Sequence, residues 1–308
     1  MRDHVIAELV ELGKIDDSII LATADLGFNV VEKYSSQFPN RYINTGIAEQ
    51  SLTSIAAGLA LEGNKVFTYS IGNFPTLRCI EQLRNLVCYH NANVKVLAVG
   101  GGFAYGTLGM THHATEDIAM MRALPKMDVY VPADAIEAVL CLRELYKKEG
   151  PGYLRMARGK EPYIHKQNES IDVTKVIPIK ESGEDVIILA AGTILSEAVR
   201  AFDILVSQNI KCSVYSVPCI KPLDEQNVRS LARKAKLLVT IEEHTVIGGL
   251  GGAVAEAISG ISSHASLLRF GLNNEFTSIV GSQNYLRSVY HLDANEVAER
   301  VIRMIKGA

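Results

Sequence analysis

Short apolar runs alternate with helical segments along nearly the whole chain, and this alternation restricts the fold more than any other feature. Runs at 19–24, 41–44, 65–69, 94–99, 129–131 and 152–156 read as strands. Helical patterns fall at 5–12, 30–37, 74–89, 114–124 and 134–148, with a further helix opening at Glu49. The links are short and carry Gly, Pro, Asn or Asp. Strands and helices in strict alternation build a parallel sheet covered on both faces. A polar, irregular stretch at 160–180 interrupts the pattern, and a second set follows. Its strands read at 185–190, 211–216 and 237–242, its helices at 193–208, 226–235 and 295–305, and 218–224 reads as a loop. The expectation is an α/β chain of two doubly wound domains with mainly parallel sheets. They occupy 1–162 and 183–308, joined by a linker at 163–182.

Composition narrows the function classes. A length of 308 residues suits two domains. The formal charge of −3 leaves no basic surplus for a nucleic-acid backbone. No apolar run approaches the roughly 20 residues of a membrane span. The first residues lack the apolar core and cleavage site of a signal peptide. Five cysteines form no C-x-x-C pair, which points to a reduced, cytoplasmic compartment.

Ligands on open parallel sheets bind beyond the carboxyl ends of the strands. Four unusual stretches follow strands: Asp25-Leu26-Gly27, 46–49, 69–74 and 100–113. Glu49 sits in the first turn of its helix, after Asn44-Thr45-Gly46. An acid there is stabilised by the helix dipole; it is also placed to share a proton with a ligand. Tyr69 and Phe74 flank a Gly72-Asn73 break and suit either core packing or a platform for a flat heterocycle. His112-His113 with Glu116-Asp117 has the composition of a metal cluster, but adjacent loop histidines converge poorly, and catalysis or substrate binding fits better. Gly248-Gly249-Leu250-Gly251-Gly252 spells neither the Rossmann nor the P-loop fingerprint, so tight helix packing is the preferred reading. Arg155 and Arg158, around the end of a strand, suit phosphate binding or surface ion pairs.

Taken together, these stretches resemble the C-terminal half of transketolases. The resemblance is carried by Asn-Thr-Gly-Ile-Ala-Glu-Gln at 44–50, Glu81-Gln82-Leu83-Arg84-Asn85, Gly109-Met110-Thr111-His112, Pro132-Ala133-Asp134, and Tyr153-Leu154-Arg155 with Arg158-Gly159. It covers essentially the whole chain. It is strongest to split transketolases, whose halves are separate polypeptides, and to the matching half of deoxyxylulose-phosphate synthase. The resemblance implies a pyrimidine-binding domain, a transketolase C-terminal domain and thiamine diphosphate as cofactor. It implies that Glu49 hydrogen-bonds N1′ of the cofactor pyrimidine, favouring the 4′-imino tautomer that takes the proton from thiazolium C2. It places Tyr69 and Phe74 at the pyrimidine ring, with Arg78 close by. His112 matches a histidine that contacts sugar oxygens, and Arg158 an arginine that binds the sugar phosphate.

The family's Gly-Asp-Gly…Asn motif, which holds the diphosphate through Mg²⁺ (or Ca²⁺), is absent from the sequence. No metal site is therefore expected here. A partner resembling the N-terminal half, in an α2β2 assembly, is implied. Two positions depart from the family: Leu108 stands for an aspartate that contacts a sugar hydroxyl, and Gly100 for a phosphate-binding histidine. Loss of such partners changes specificity by orders of magnitude, so a non-standard sugar or sugar-phosphate pair is expected. Two alternatives remain: the β chain of a 2-oxo-acid dehydrogenase decarboxylating component, and a non-catalytic subunit that keeps the fold.

Overall fold

The computed structural model describes residues 1–159, 161–167 and 169–307. Twelve strands form two sheets among these residues. They are β1 (Ile19–Thr23), β2 (Tyr42–Asn44), β3 (Lys65–Ile71), β4 (Val94–Val99), β5 (Asp128–Tyr130) and β6 (Gly152–Met156), then β7 (Ile177–Glu181), β8 (Val186–Ala191), β9 (Cys212–Ser216), β10 (Cys219–Lys221), β11 (Leu237–Thr245) and β12 (Ser266–Leu272). The first sheet runs β10-β5-β6-β4-β3-β1-β2 and the second β12-β11-β8-β9-β7. All pairs are parallel except β10 with β5 and β7 with β9.

The continuous apolar runs follow from cover on both faces. In β1, Ile20 and Ala22 pack with Leu52 and Ala56, while Ile19 and Leu21 pack with Val5 and Leu9 of the helix Arg2–Ile15. Because β1 to β4 are parallel, the loops after them open at one rim.

Several local expectations are corrected. The stretch at 218–224 is not all loop: β10 crosses to the first sheet and pairs with β5. Three residues between two prolines carry no readable period. The helix expected over 74–89 is a relay of a 3₁₀ turn (Leu77–Cys79), an α turn (Ile80–Gln82) and a π segment (Leu83–Cys88). Such irregular turns collect at functional sites. The last part of the 163–182 stretch is strand β7; the described residues before it, from 163 to 176, form neither helix nor strand. β12 and the helix Gln283–Val289 had no clear sequence signal, β12 being an edge strand of mixed exposure.

Arg155 is neither at a surface nor free for phosphate. It is buried, and its Nε and Nη2 donate to Asp117 at 2.8 and 3.2 Å. The same Nη2 donates to the carbonyls of Ala114 (2.5 Å) and Glu243 (3.1 Å), and the Tyr153 hydroxyl also donates to Asp117. Glu243, on β11, accepts from the backbone N–H of Phe103 at 2.5 Å and from Arg287 Nε at 2.7 Å. One charged network therefore ties the loop after β4 to both sheets.

Beside it, His244 is fully buried. Burial lowers its pKa to about 4. Its Nδ1 lies 2.7 Å from the Thr245 carbonyl and its Nε2 accepts from Ala119 N–H at 3.3 Å, an arrangement only the neutral ring satisfies.

Two outcomes are expected. Asp117→Asn leaves the Arg155 charge buried without its counter-charge and should cost about 3–5 kcal/mol, read as a lower urea midpoint at unchanged slope. His244 binds its proton less readily folded than unfolded, so stability should fall as pH drops from about 6.5 through about 4. In His244→Gln that part of the acid slope should vanish in urea titrations across this range.

Candidate active site

The rim begins with an interlock between the loops after β1 and β2. Asn44 Nδ2 donates to Asp25 Oδ1 at 2.9 Å, and Asn44 Oδ1 accepts from the N–H groups of Asp25 and Gly46, both at 3.0 Å. Gly46 has φ +70°, which lets the chain turn sharply into the helix Glu49–Leu61. That turn delivers Glu49 at the first helical position with its side chain only 2% exposed.

A carboxylate so deeply buried needs a partner. Arg78, from the 3₁₀ turn, supplies it: Nη1 donates to Glu49 Oε2 at 2.5 Å. The same guanidinium lies over the Phe74 ring, 4.6 Å from its centroid. Its side chain remains 47% exposed. A planar, cationic N–H donor thus sits on an aromatic face and hydrogen-bonds a buried carboxylate. A protonated or N–H-bearing heterocycle would make the same two contacts.

A cavity of about 350 Å³ adjoins this group, lined by Asn73, Phe74, Arg78, Met110, Glu116 and Phe276. Asn73 is 7% exposed. Its Nδ2 donates to the carbonyls of Thr111 (3.1 Å) and His113 (2.9 Å), which fixes the amide's orientation, and its Oδ1 has no partner among the described residues. That orphaned acceptor suits an N–H donor on a ligand.

His112 sits on a 3₁₀ turn, Met110–His112, half-buried. Its ring meets Phe74 edge-on at 5.3 Å, and its Nδ1 lies 3.0 Å from the Thr111 hydroxyl. Burial, and then the neighbouring His113, hold its pKa below the usual histidine value. His113 is structural. Its Nδ1 pairs with Thr277 at 2.7 Å and its Nε2 with the Gly106 carbonyl at 3.0 Å, so neither nitrogen is left for a metal. Among the described residues, no group of three or more His, Cys, Asp or Glu is arranged to hold a metal ion.

The structure brings Glu49, Phe74, Arg78 and His112 together, but not Tyr69. Tyr69 is 1% exposed and packs with Val30 and Val31 on the opposite face of the sheet from the Glu49 helix. Alternation along β3 sends it there, so its placement is core packing. Arg158 is exposed on a second cleft of about 1120 Å³, its guanidinium 5.2 Å from the centre of the Tyr105 ring. Tyr105 also meets the His112 ring edge-on at 6.3 Å. Tyr105, Thr277 and Phe276 were missed. Tyr105 had one signal, an aromatic within a glycine-rich loop; the other two come from a distant stretch with no local motif.

The glycine run at 248–252 is filled by the protein itself. The Glu242 carboxylate accepts from the N–H groups of Leu250 (2.6 Å) and Gly251 (2.8 Å), at the start of the helix Leu250–Ser259. Burial pushes its pKa up to about 7. An acid occupies the place where a phosphate would bind.

Residues 1–162 match the model of the transketolase pyrimidine-binding domain, and residues 175–297 that of the transketolase C-terminal domain. The chain belongs to the transketolase family. It corresponds to the pyrimidine-domain subunit of a split transketolase, a transferase family that depends on thiamine diphosphate. It is 37% identical to a putative transketolase C-terminal section of Methanocaldococcus jannaschii, over 99% of this chain and 96% of that one. It is 35% identical to a 6-deoxy-6-sulfo-D-fructose transketolase subunit of a Clostridium species, over 96% and 92%. A split-gene transketolase solved as an inactive β4 tetramer superposes with a TM-score of 0.88 at 34% identity, covering 98% of this chain and 96% of that one. The Campylobacter jejuni transketolase shares the fold, with a TM-score of 0.82 at 19% identity, over 98% of this chain and 46% of that one.

In this transketolase subunit, position 100 has no room for a side chain. Gly100 has φ +95°, and a Cβ there would lie 2.2 Å from two Tyr105 ring carbons. Gly100→Ala should therefore destabilise by about 1–3 kcal/mol. In a Tyr105→Ala background part of that loss should disappear, giving a coupling energy in urea melts. Strictly additive losses would show that the ring is not the obstacle.

Proposed function

We propose that this chain and a separate N-terminal-half subunit form an α2β2 thiamine diphosphate enzyme. It transfers a two-carbon ketol group from a ketose to an aldose, at least one of them carrying a terminal anion. The observation that carries the reading is the buried Glu49 beside the Phe74 face, with Arg78 making the contacts of a flat N–H donor.

Thiamine diphosphate, when bound, supplies the electron sink for breaking a carbon–carbon bond next to a carbonyl. The residues here fit its pyrimidine. Glu49 offers a water-shielded carboxyl to hold a proton at a ring nitrogen, Phe74 offers a face, and Asn73 Oδ1 offers an unused acceptor. Arg78 is exposed enough to release Glu49 when a ring takes its place. His112, with Nδ1 engaged by Thr111, keeps Nε2 for a substrate hydroxyl. Its depressed pKa favours a neutral ring that can accept a proton near pH 7. Arg158 is assigned the terminal anion. We assign 1–162 to pyrimidine binding and 183–308 to the C-terminal domain, with 163–182 between them.

The metal and the diphosphate are assigned to the partner subunit, because the sequence contains no Gly-Asp-Gly. The inactive β4 state of the related split-gene transketolase supports partner dependence. A cytoplasmic location agrees with five free, buried cysteines; no helix among the described residues is long and apolar enough to cross a membrane. The substrate pair is assigned outside the standard pentose phosphates. Leu108 is 54% exposed where the family aspartate would stand, and relatives are named for 6-deoxy-6-sulfo-D-fructose and apulose 4-phosphate.

The test is reconstitution. The chain alone should transfer no ketol group; co-purified with a Gly-Asp-Gly partner, thiamine diphosphate and Mg²⁺, it should do so. Glu49→Gln should cut kcat by about 10²–10⁴-fold with the assembly mass unchanged in light scattering. Full activity of the isolated chain, or of Glu49→Gln, would overturn the reading. Equal turnover of xylulose 5-phosphate and ribose 5-phosphate as the preferred pair would overturn the substrate assignment.

A further inference from the structure

Arg158 is unusual for an arginine at the edge of a large cleft. Among the described residues it has no carboxylate within ion-pair distance, and its contact is the Tyr105 ring, 5.2 Å away. Contact with a ring face uses none of the five guanidinium N–H donors, whereas a carboxylate partner would use two. The other arginines of this cleft each face a carboxylate, although Arg2 Nε makes no hydrogen bond among the described residues. Arg287 pairs with Glu243, Arg200 with Glu197, and Arg2 lies 3.7 Å from Asp3.

Tyr105 is itself rigidly placed. It is 9% exposed, and its ring fills the volume a side chain at position 100 would need. Its carbonyl accepts from Leu108 N–H at 2.8 Å, and Gly106, the next residue, accepts from Gly281 N–H at 3.1 Å. His112 abuts the same ring. One tyrosine thus borders both the imidazole assigned to the sugar and the guanidinium assigned to its far end.

We propose that Tyr105 is a positioning residue for the sugar's terminal anion: it holds Arg158 at the cleft with all its donors free for a tetrahedral oxyanion, phosphate or sulfonate. This rests on the transketolase reading above. The ring supplies from position 105 a wall that position 100 cannot supply here, and so sets the spacing between His112 and the anion.

The experiment compares Tyr105→Phe and Tyr105→Leu in the reconstituted two-chain enzyme. Substrates are fructose 6-phosphate, 6-deoxy-6-sulfofructose and unphosphorylated fructose. Tyr105→Leu should raise KM for one or both anionic sugars about fivefold, the scale of a lost cation–π contact at an exposed site, with kcat little changed. Its kcat/KM for free fructose should stay within about twofold, and Tyr105→Phe should behave as wild type. Which anionic sugar shifts identifies the headgroup. Equal losses on free and anionic sugars, no KM change in the leucine variant, or a phenylalanine variant as impaired as leucine would overturn the proposal. If the wild-type assembly turns over no ketose, the transketolase reading fails. Calorimetric binding of fructose 6-phosphate then decides the Tyr105 role: weakened in leucine and kept in phenylalanine supports it, and any other pattern rejects it.

Discussion

The buried pair of Asp117 and Arg155 is the contact on which the site's geometry depends. Two charges taken out of water gain little net energy, and their worth lies in what they force into place. Arg155 reaches from β6 to the Ala114 carbonyl, at the end of the long loop after β4, and to the Glu243 carbonyl on β11. The loop that carries Tyr105 and His112 is thus clamped where it leaves the rim. Glu243 holds it near its start through Phe103. A loop of this length would ordinarily sample many shapes. Here both ends are fastened to buried charges, and Gly106 and His113 are tied to the segment around Thr277 and Gly281.

The opposite wall is built differently. Glu49 is fixed by helix geometry and buried, whereas Arg78 sits on a short 3₁₀ turn and is half exposed. A buried acceptor therefore faces a half-exposed donor. The pair keeps the buried carboxylate satisfied, and on the proposed reading it yields Glu49 to the cofactor ring. Phe74 carries the guanidinium on its face, and an aromatic face accepts a guanidinium or a heterocycle alike.

Much of this was legible in the residues. Parallel α/β order, the rim and the position of Glu49 follow from period and punctuation, which are local. Tyr69 shows where local reading stops: its distance from Phe74 in sequence is five residues, but alternation in β3 puts it on the other face. Arg155 and Arg158 differ by three residues, yet one is entombed and the other exposed over a ring, and only the tertiary position of Asp117 and Tyr105 separates them. The glycine run at 248–252 invited a phosphate, and what fills it is Glu242, six residues upstream of the run. Segments from far along the chain, such as Thr277, leave no trace near the residues they secure.

The crossing strand β10 has a consequence for how the molecule is made. It is encoded among the residues of the second sheet, but it shields β5, the outer parallel strand of the first. Until translation has passed Lys221, β5 presents an unpaired edge to its surroundings. The amino-terminal half can collapse early, yet it stays open to wrong neighbours until later sequence emerges. Replacing the carboxy-terminal half would replace this strand as well, and with it the outer edge of the first sheet.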